Sequence, residues 1–88
     1  MYKPRVSDRQ NKKYYIVTDE NKEVHFGDSR YEDYTQHKDP KRKEAYLKRH
    51  AENEDWTDIN TAGFWSRWYL WNKPSKTEAY KYIRRRFL

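Results

Sequence analysis

The stretch Lys13-Tyr14-Tyr15-Ile16-Val17-Thr18-Asp19-Glu20-Asn21-Lys22-Glu23-Val24-His25-Phe26-Gly27 reads as a β-hairpin. Its first run is aromatic and β-branched, and so is the core of its second. Between them Asp19-Glu20-Asn21-Lys22 is a cluster of turn formers. Side chains alternate along a strand, so Tyr15 and Val17 are expected to share the inward face with Val24 and Phe26. A hairpin alone is barely stable in water. It therefore needs helices to cover it, and the sequence supplies them downstream.

Asp39-Pro40 marks a helix start, with Asp39 as the cap and Pro40 at the first helical position. The periodicity carries this helix to about Glu52, with Leu47 and Ala51 inward and Tyr46 beside them. Thr61 is expected to cap a second helix through Trp71, on which Phe64, Trp68 and Trp71 form one face. Trp65, Tyr69 and Leu70 leave that helix apolar almost all round, so it is either central to the core or half of an interface. Ser75 with Glu78 matches a capping box and opens a third helix to Phe87, with Ala79, Tyr80, Ile83 and Phe87 as its buried stripe. The polar stretch from Asp28 to Lys38 has room for one short helical turn. The expected fold is α+β, a small N-terminal hairpin packed on two or three short helices. Residues 13–88 form the domain. Residues 1–12, with Pro4 and scattered charge, read as a flexible basic arm. The expected core is Tyr15, Val17, Val24, Phe26, Leu47, Trp56, Phe64, Trp68, Trp71, Ile83 and Phe87.

Only 34% of the 88 residues are hydrophobic and 39% are charged, which leans towards disorder. The 18% of aromatic residues reverses that reading, because each ring buries about 150–250 Å². No cysteine is present, so disulfides and thiolate metal sites are excluded. No run approaches the roughly 18 apolar residues of a membrane span, and the polar first 13 residues lack a secretory signal. The net charge of +6 is unevenly spread. Residues 1–13 carry five Lys/Arg against one Asp, and residues 73–88 carry six against one Glu. The centre is mildly acidic, with nine against twelve. Basic ends of this kind suit nucleic acid or acidic protein surfaces.

The three histidines, His25, His37 and His50, match no metal-binding spacing, and no metal or other cofactor is expected. His37 with Asp39, or His50 with Glu52 and Glu54, are acid–base neighbours that any charged helix offers by chance. With only Gly27 and Gly63 there is no phosphate loop. The chain is not expected to be an enzyme, to have catalytic residues or to take a small-molecule substrate. The residues expected to meet a partner are Trp65, Tyr69, Lys81, Tyr82, Arg84, Arg85 and Arg86, where rings and cations interleave as in single-strand binding surfaces.

Val24-His25-Phe26-Gly27-Asp28-Ser29-Arg30-Tyr31-Glu32-Asp33-Tyr34-Thr35-Gln36-His37-Lys38-Asp39-Pro40-Lys41-Arg42-Lys43, Tyr46-Leu47-Lys48-Arg49-His50, Glu54-Asp55-Trp56, Thr61-Ala62-Gly63-Phe64-Trp65-Ser66-Arg67-Trp68 and Leu70-Trp71-Asn72-Lys73-Pro74 form an ordered series of motifs. Over about residues 14–88 this series resembles a family of short uncharacterised proteins of large double-stranded DNA viruses of algae and amoebae, and of some phages. The resemblance implies a viral setting, in the virion or the infected-cell cytoplasm, and no catalytic residue. Two functions follow as expectations. The first is a virion-associated minor capsid or cement-like component that wedges between viral structural proteins, using the rings of Phe64–Trp71 as anchors. The alternative is a nucleic-acid-binding protein that holds DNA or RNA through its basic ends and rings.

Overall fold

The computed structural model describes residues 2–88. A three-stranded antiparallel sheet leads the chain, β1 (Arg5–Val6), β2 (Lys12–Val17) and β3 (Glu23–Asp28), in the order β1-β2-β3. Helices follow: α1 (Tyr34–His37), α2 (Pro40–His50), α3 (Ala62–Trp65) and α4 (Lys76–Phe87). A π-helical turn, Ser66–Leu70, continues α3. The α+β reading therefore holds, with a small sheet at the N-terminus and short helices after it.

The hairpin turn closes through Thr18. Its N–H donates to the Lys22 carbonyl at 2.8 Å, and its hydroxyl accepts from the N–H groups of Glu20 and Lys22. Asn21 takes the left-handed conformation, φ +62°, that an Asn tolerates in a turn. This turn sets Tyr14 opposite Phe26 and Ile16 opposite Val24. The inward face of β2 is thus Tyr14 and Ile16, continued by the buried Thr18 just past its end, not the expected Tyr15 and Val17. Ile16 and Phe26 are completely buried. Tyr15 lies on the reverse face, stacked on His25 with ring centres 4.9 Å apart.

Arg5–Val6, expected within a loose arm, pairs with Tyr15 and Tyr14 as an edge strand. Two side-chain anchors help hold it there. The Ser7 hydroxyl meets His25 Nδ1 at 2.7 Å. Tyr2 stacks on Trp65 at 6.5 Å and donates its hydroxyl to Asn60 Oδ1 at 2.6 Å. The segment is thus anchored on both sides of β1, by Tyr2 to the helical layer and by Ser7 to the sheet.

Asp39 caps α2 as expected, its side chain accepting from the Lys41 N–H at 2.9 Å. The buried residue of α2 is Tyr46, however, while Leu47 is only half-buried and lies outside the central cluster. The expected helix through Trp71 splits. Thr61 caps it, but the backbone widens after Trp65, and the Trp71 N–H bonds the Ser66 carbonyl five residues back. Phe64 and Trp65 are buried before the turn widens, and Leu70 is buried at its end. At α4 the Ser75 side chain accepts from the Glu78 N–H, and Glu78 pairs with Lys81 at 3.7 Å. Ala79 and Ile83 are buried, with Tyr80 and Phe87 packed at their sides.

The core is therefore Ile16, Phe26, Phe64, Trp65, Leu70 and Ile83. Gly27 is required beside it. Its φ is +79°, and a β-carbon there would stand 2.8 Å from Leu70 Cδ1. Both facts exclude an ordinary side chain.

Candidate anion site built from rings and cations

The expected partner residues divide once the chain is folded. Trp65 is a correction: it is completely buried and donates its indole N–H to the Ile59 carbonyl at 2.8 Å. It can meet no partner because it is the centre of the core. Tyr69 is half-buried, edge-on to Tyr14 at 5.5 Å and to Phe26 at 6.1 Å. Burial pushes its hydroxyl up to about 12, helped by Tyr14, Tyr80 and Asp33. Lys81, Arg84, Arg85 and Arg86 are exposed on α4. Tyr82 is partly exposed on the same helix and stacks on Trp68 with ring centres 5.4 Å apart.

Tyr82 and Trp68 lead to a cluster that the sequence reading did not assemble. The Arg67 guanidinium sits 4.2 Å over Trp68 and 5.3 Å from the Trp56 ring. Trp68 is held by its indole N–H, which donates to the Trp56 carbonyl at 2.8 Å. Lys73 lies 5.5 Å over Tyr82. Lys43 donates to the Asn72 carbonyl at 2.8 Å and lies 5.0 Å over Tyr34. Cations over ring faces are attracted by the ring quadrupole, more so when water is excluded.

The electrostatics of this cluster are one-sided. Burial lowers the Lys43 ammonium from its ordinary range, and repulsion from Arg67 and Lys73 lowers it further. Burial likewise disfavours the Arg67 charge, which a guanidinium nevertheless keeps. Among the described residues no carboxylate lies within ion-pair distance of Lys43, Arg67 or Lys73. Three buried polar atoms near this region also have no partner: Arg67 Nε, Asn72 Nδ2 and His37 Nε2. His37 Nδ1 accepts from the Asp39 N–H at 3.0 Å, so the neutral ring carries its proton on Nε2. All three orphans are then donors. The connections run through residues 71 and 72: Arg67 Nη1 reaches the Trp71 carbonyl at 3.4 Å, and His37 lies 5.3 Å from the Trp71 ring. Buried donors without acceptors add to the positive character of this region.

A second feature is a cleft of about 450 Å³ between β3, α2 and the start of α3. His50 and Glu54 line it, joined at 2.8 Å. The neighbours His50 and Glu54 are thus brought together. The pair His37 and Asp39 is connected only through the Asp39 backbone. Among the described residues no three His, Asp or Glu side chains are arranged to hold a metal ion, and no helix is long and apolar enough to cross a membrane.

The sequence matches the family described as "Family of unknown function (DUF5754)" over residues 3–50. The chain belongs to that family. The DUF5754 match covers the sheet, α1 and α2, and it begins inside the segment first read as an arm. Lys43 and His37 lie within it, whereas Arg67, Trp68, Lys73 and Tyr82 lie beyond it. Comparison with curated proteins and with solved structures gives no match.

The cationic cluster had a partial signal in the sequence. Arg67, Trp68 and Trp71 stand together, as do Tyr82 and the arginines of α4. Nothing in the spacing ties Lys43 or Asn72 to them, because their meeting depends on α2 folding back over residues 71–72.

Proposed function

We propose that the protein is a non-enzymatic binder of single-stranded nucleic acid, with phosphates drawn to Lys43, Arg67 and Lys73 and bases stacked beside Tyr82. The observation that carries this reading is the cluster itself: three cations among four rings, with no carboxylate to neutralise them. Arg85 and Arg86 stand one helical turn from Tyr82 and extend the positive surface. Rings that stack on any base, set in a cationic surface, are the means by which single strands are held. The viral resemblance fits a protein that handles a genome.

The test is titration of the protein with single-stranded oligonucleotides, read by fluorescence anisotropy of a dye-labelled strand. Affinity is expected to fall with salt, with a slope of about −0.7 for each phosphate engaged. Lys73→Ala is expected to flatten the slope by about one such increment. Tyr82→Ala is expected to cost about 1–3 kcal/mol at unchanged slope. Absence of binding at about 150 mM salt would overturn the reading.

The capsid reading draws on the same basic surface, but two of the rings it counted on as anchors, Phe64 and Trp65, are completely buried. It is supported instead if the protein is recovered from purified, nuclease-treated particles at fixed copy number and does not retain oligonucleotides.

A further inference from the structure

The cationic cluster has a basic border and an acidic one. Its three cations gather round residues 71–73. Lys43 donates to the Asn72 carbonyl at 2.8 Å, and Arg67 Nη1 reaches the Trp71 carbonyl at 3.4 Å. Arg67 and Lys73 are close enough to Lys43 that both weaken its hold on a proton.

The basic border is α4. Lys73 lies 5.5 Å over Tyr82, and the exposed Arg85 and Arg86 follow one turn further along the helix. Glu78, one turn the other way, is engaged by Lys81 at 3.7 Å.

The acidic border is the loop Glu52-Asn53-Glu54-Asp55-Trp56-Thr57-Asp58, with four carboxylates and no Lys or Arg. It abuts the cluster through Trp56. The Trp56 ring lies 5.3 Å from the Arg67 guanidinium, and the Trp56 carbonyl accepts from the Trp68 indole N–H at 2.8 Å. Glu54 is engaged twice at 2.8 Å, with His50 Nδ1 and the Trp56 indole N–H. Glu52, Asp55 and Asp58 are exposed, and among the described residues they have no cation within ion-pair distance. Thr57 donates its hydroxyl and N–H to Asp55 and holds that carboxyl below its usual range, so the charge persists at neutral pH.

A strand on the cluster can therefore run on over α4, whereas across the loop each further phosphate meets like charge. Resting on the single-strand reading above, we infer that the cluster holds the end of a strand: a terminal phosphate monoester lies among Lys43, Arg67 and Lys73, and the chain leaves towards Arg85 and Arg86. The charges agree. A phosphate monoester carries close to two negative charges, and the diester next to it adds one, which together match three cations. The monoester is on the 5′ or the 3′ hydroxyl, and the two are separated by experiment.

The experiment compares three forms of one short oligonucleotide, with a 5′-phosphate, a 3′-phosphate or hydroxyls at both ends. Each carries a dye on an internal base and is titrated with the full chain, read by anisotropy. At about 150 mM salt one phosphorylated form is expected to bind about tenfold tighter than the hydroxyl-ended strand, and that form identifies the end that is held. Lys43→Met keeps the apolar stem and is expected to reduce the preference to less than about threefold. Glu52→Gln combined with Asp55→Asn, both at exposed positions, is expected to strengthen binding of the hydroxyl-ended strand and so narrow the preference. If the three strands bind equally, the inference is overturned and the single-strand reading stands; if none binds, both fall. A preference left intact by Lys43→Met also overturns the inference, because the monoester then lies elsewhere, as does one that the loop variant leaves at full size.

Discussion

Tyr46 lies flat on Trp71, with ring centres 4.3 Å apart and planes within 1°. This contact fastens α2 to the segment that leaves the π-helical turn, and it places His50 above the cleft and Lys43 beside Asn72. Removing a buried aromatic ring costs about 3–5 kcal/mol, a large share of a small domain's stability. Tyr46→Ala is therefore expected to lower the denaturant midpoint severely. Tyr46→Phe keeps the stack and is expected to stay within about 1 kcal/mol of the wild type. Equal losses in the two variants would place the weight on the hydroxyl.

Alkaline pH should weaken the fold. Burial raises the Tyr69 hydroxyl to about 12 from an ordinary value of 10.0. Tyr46 is raised too, first by burial and then by Glu54. Between these limits the unfolded chain binds fewer protons than the folded one, so stability falls as pH rises. Below pH 10 the contribution is fully present. Melting temperatures measured from pH 9 to pH 12 are expected to decline from about pH 10 onwards, with tyrosinate absorbance appearing late for part of the tyrosine population.

Arg67 separates stability from binding. Its charge is half-buried between rings without a carboxylate. Replacing such a charge by an apolar chain of similar length removes a desolvation cost and keeps the packing. Arg67→Met is expected to leave the melting temperature unchanged or slightly raised, while oligonucleotide affinity drops by about tenfold or more. A melting temperature that collapses with Arg67→Met would make this residue structural.

Gly27→Ala should be costly out of proportion to one methyl group. The left-handed backbone, φ +79°, disfavours any β-carbon. The 2.8 Å approach to Leu70 Cδ1 adds a clash with a fully packed side chain. A loss of about 2 kcal/mol or more is expected from urea unfolding, accompanied by movement of Leu70 methyl resonances.

Hairpin, capped helices and the stripe of α4 were legible because each has a local cause. Asp39 and Ser75 accept from the backbone of the next turn, and Ala79 and Ile83 repeat at helical spacing. The phase of β2 was not legible, since Tyr14, Tyr15, Ile16 and Val17 offer apolar side chains on both faces. What decides it is the covering layer, where Phe64, Trp65 and Leu70 receive Ile16 and Phe26. Strand β1 was hidden for a different reason: it is two residues long and both are exposed, so no alternation of apolar and polar residues marks it. Of the candidate site, Tyr82 and its basic neighbours could be read from one helix. Trp65 lies off the face that Phe64, Trp68 and Trp71 share on a helical wheel, and what buries it is cover from Tyr2 and Phe26, both far from it in the chain.

The slower winding of the π-helical turn has a consequence for chain length. Between Ser66 and Leu70 the turn holds one residue more than an α-helix would. A single deletion there would let an uninterrupted α-helix form, turning everything after it by about 100° relative to α3. Trp71 would leave Tyr46, and Lys73 would be carried away from Arg67, although no core residue had changed its identity. Substitutions in this stretch are judged by size and polarity, but its length is a separate quantity, and both clusters depend on it at once.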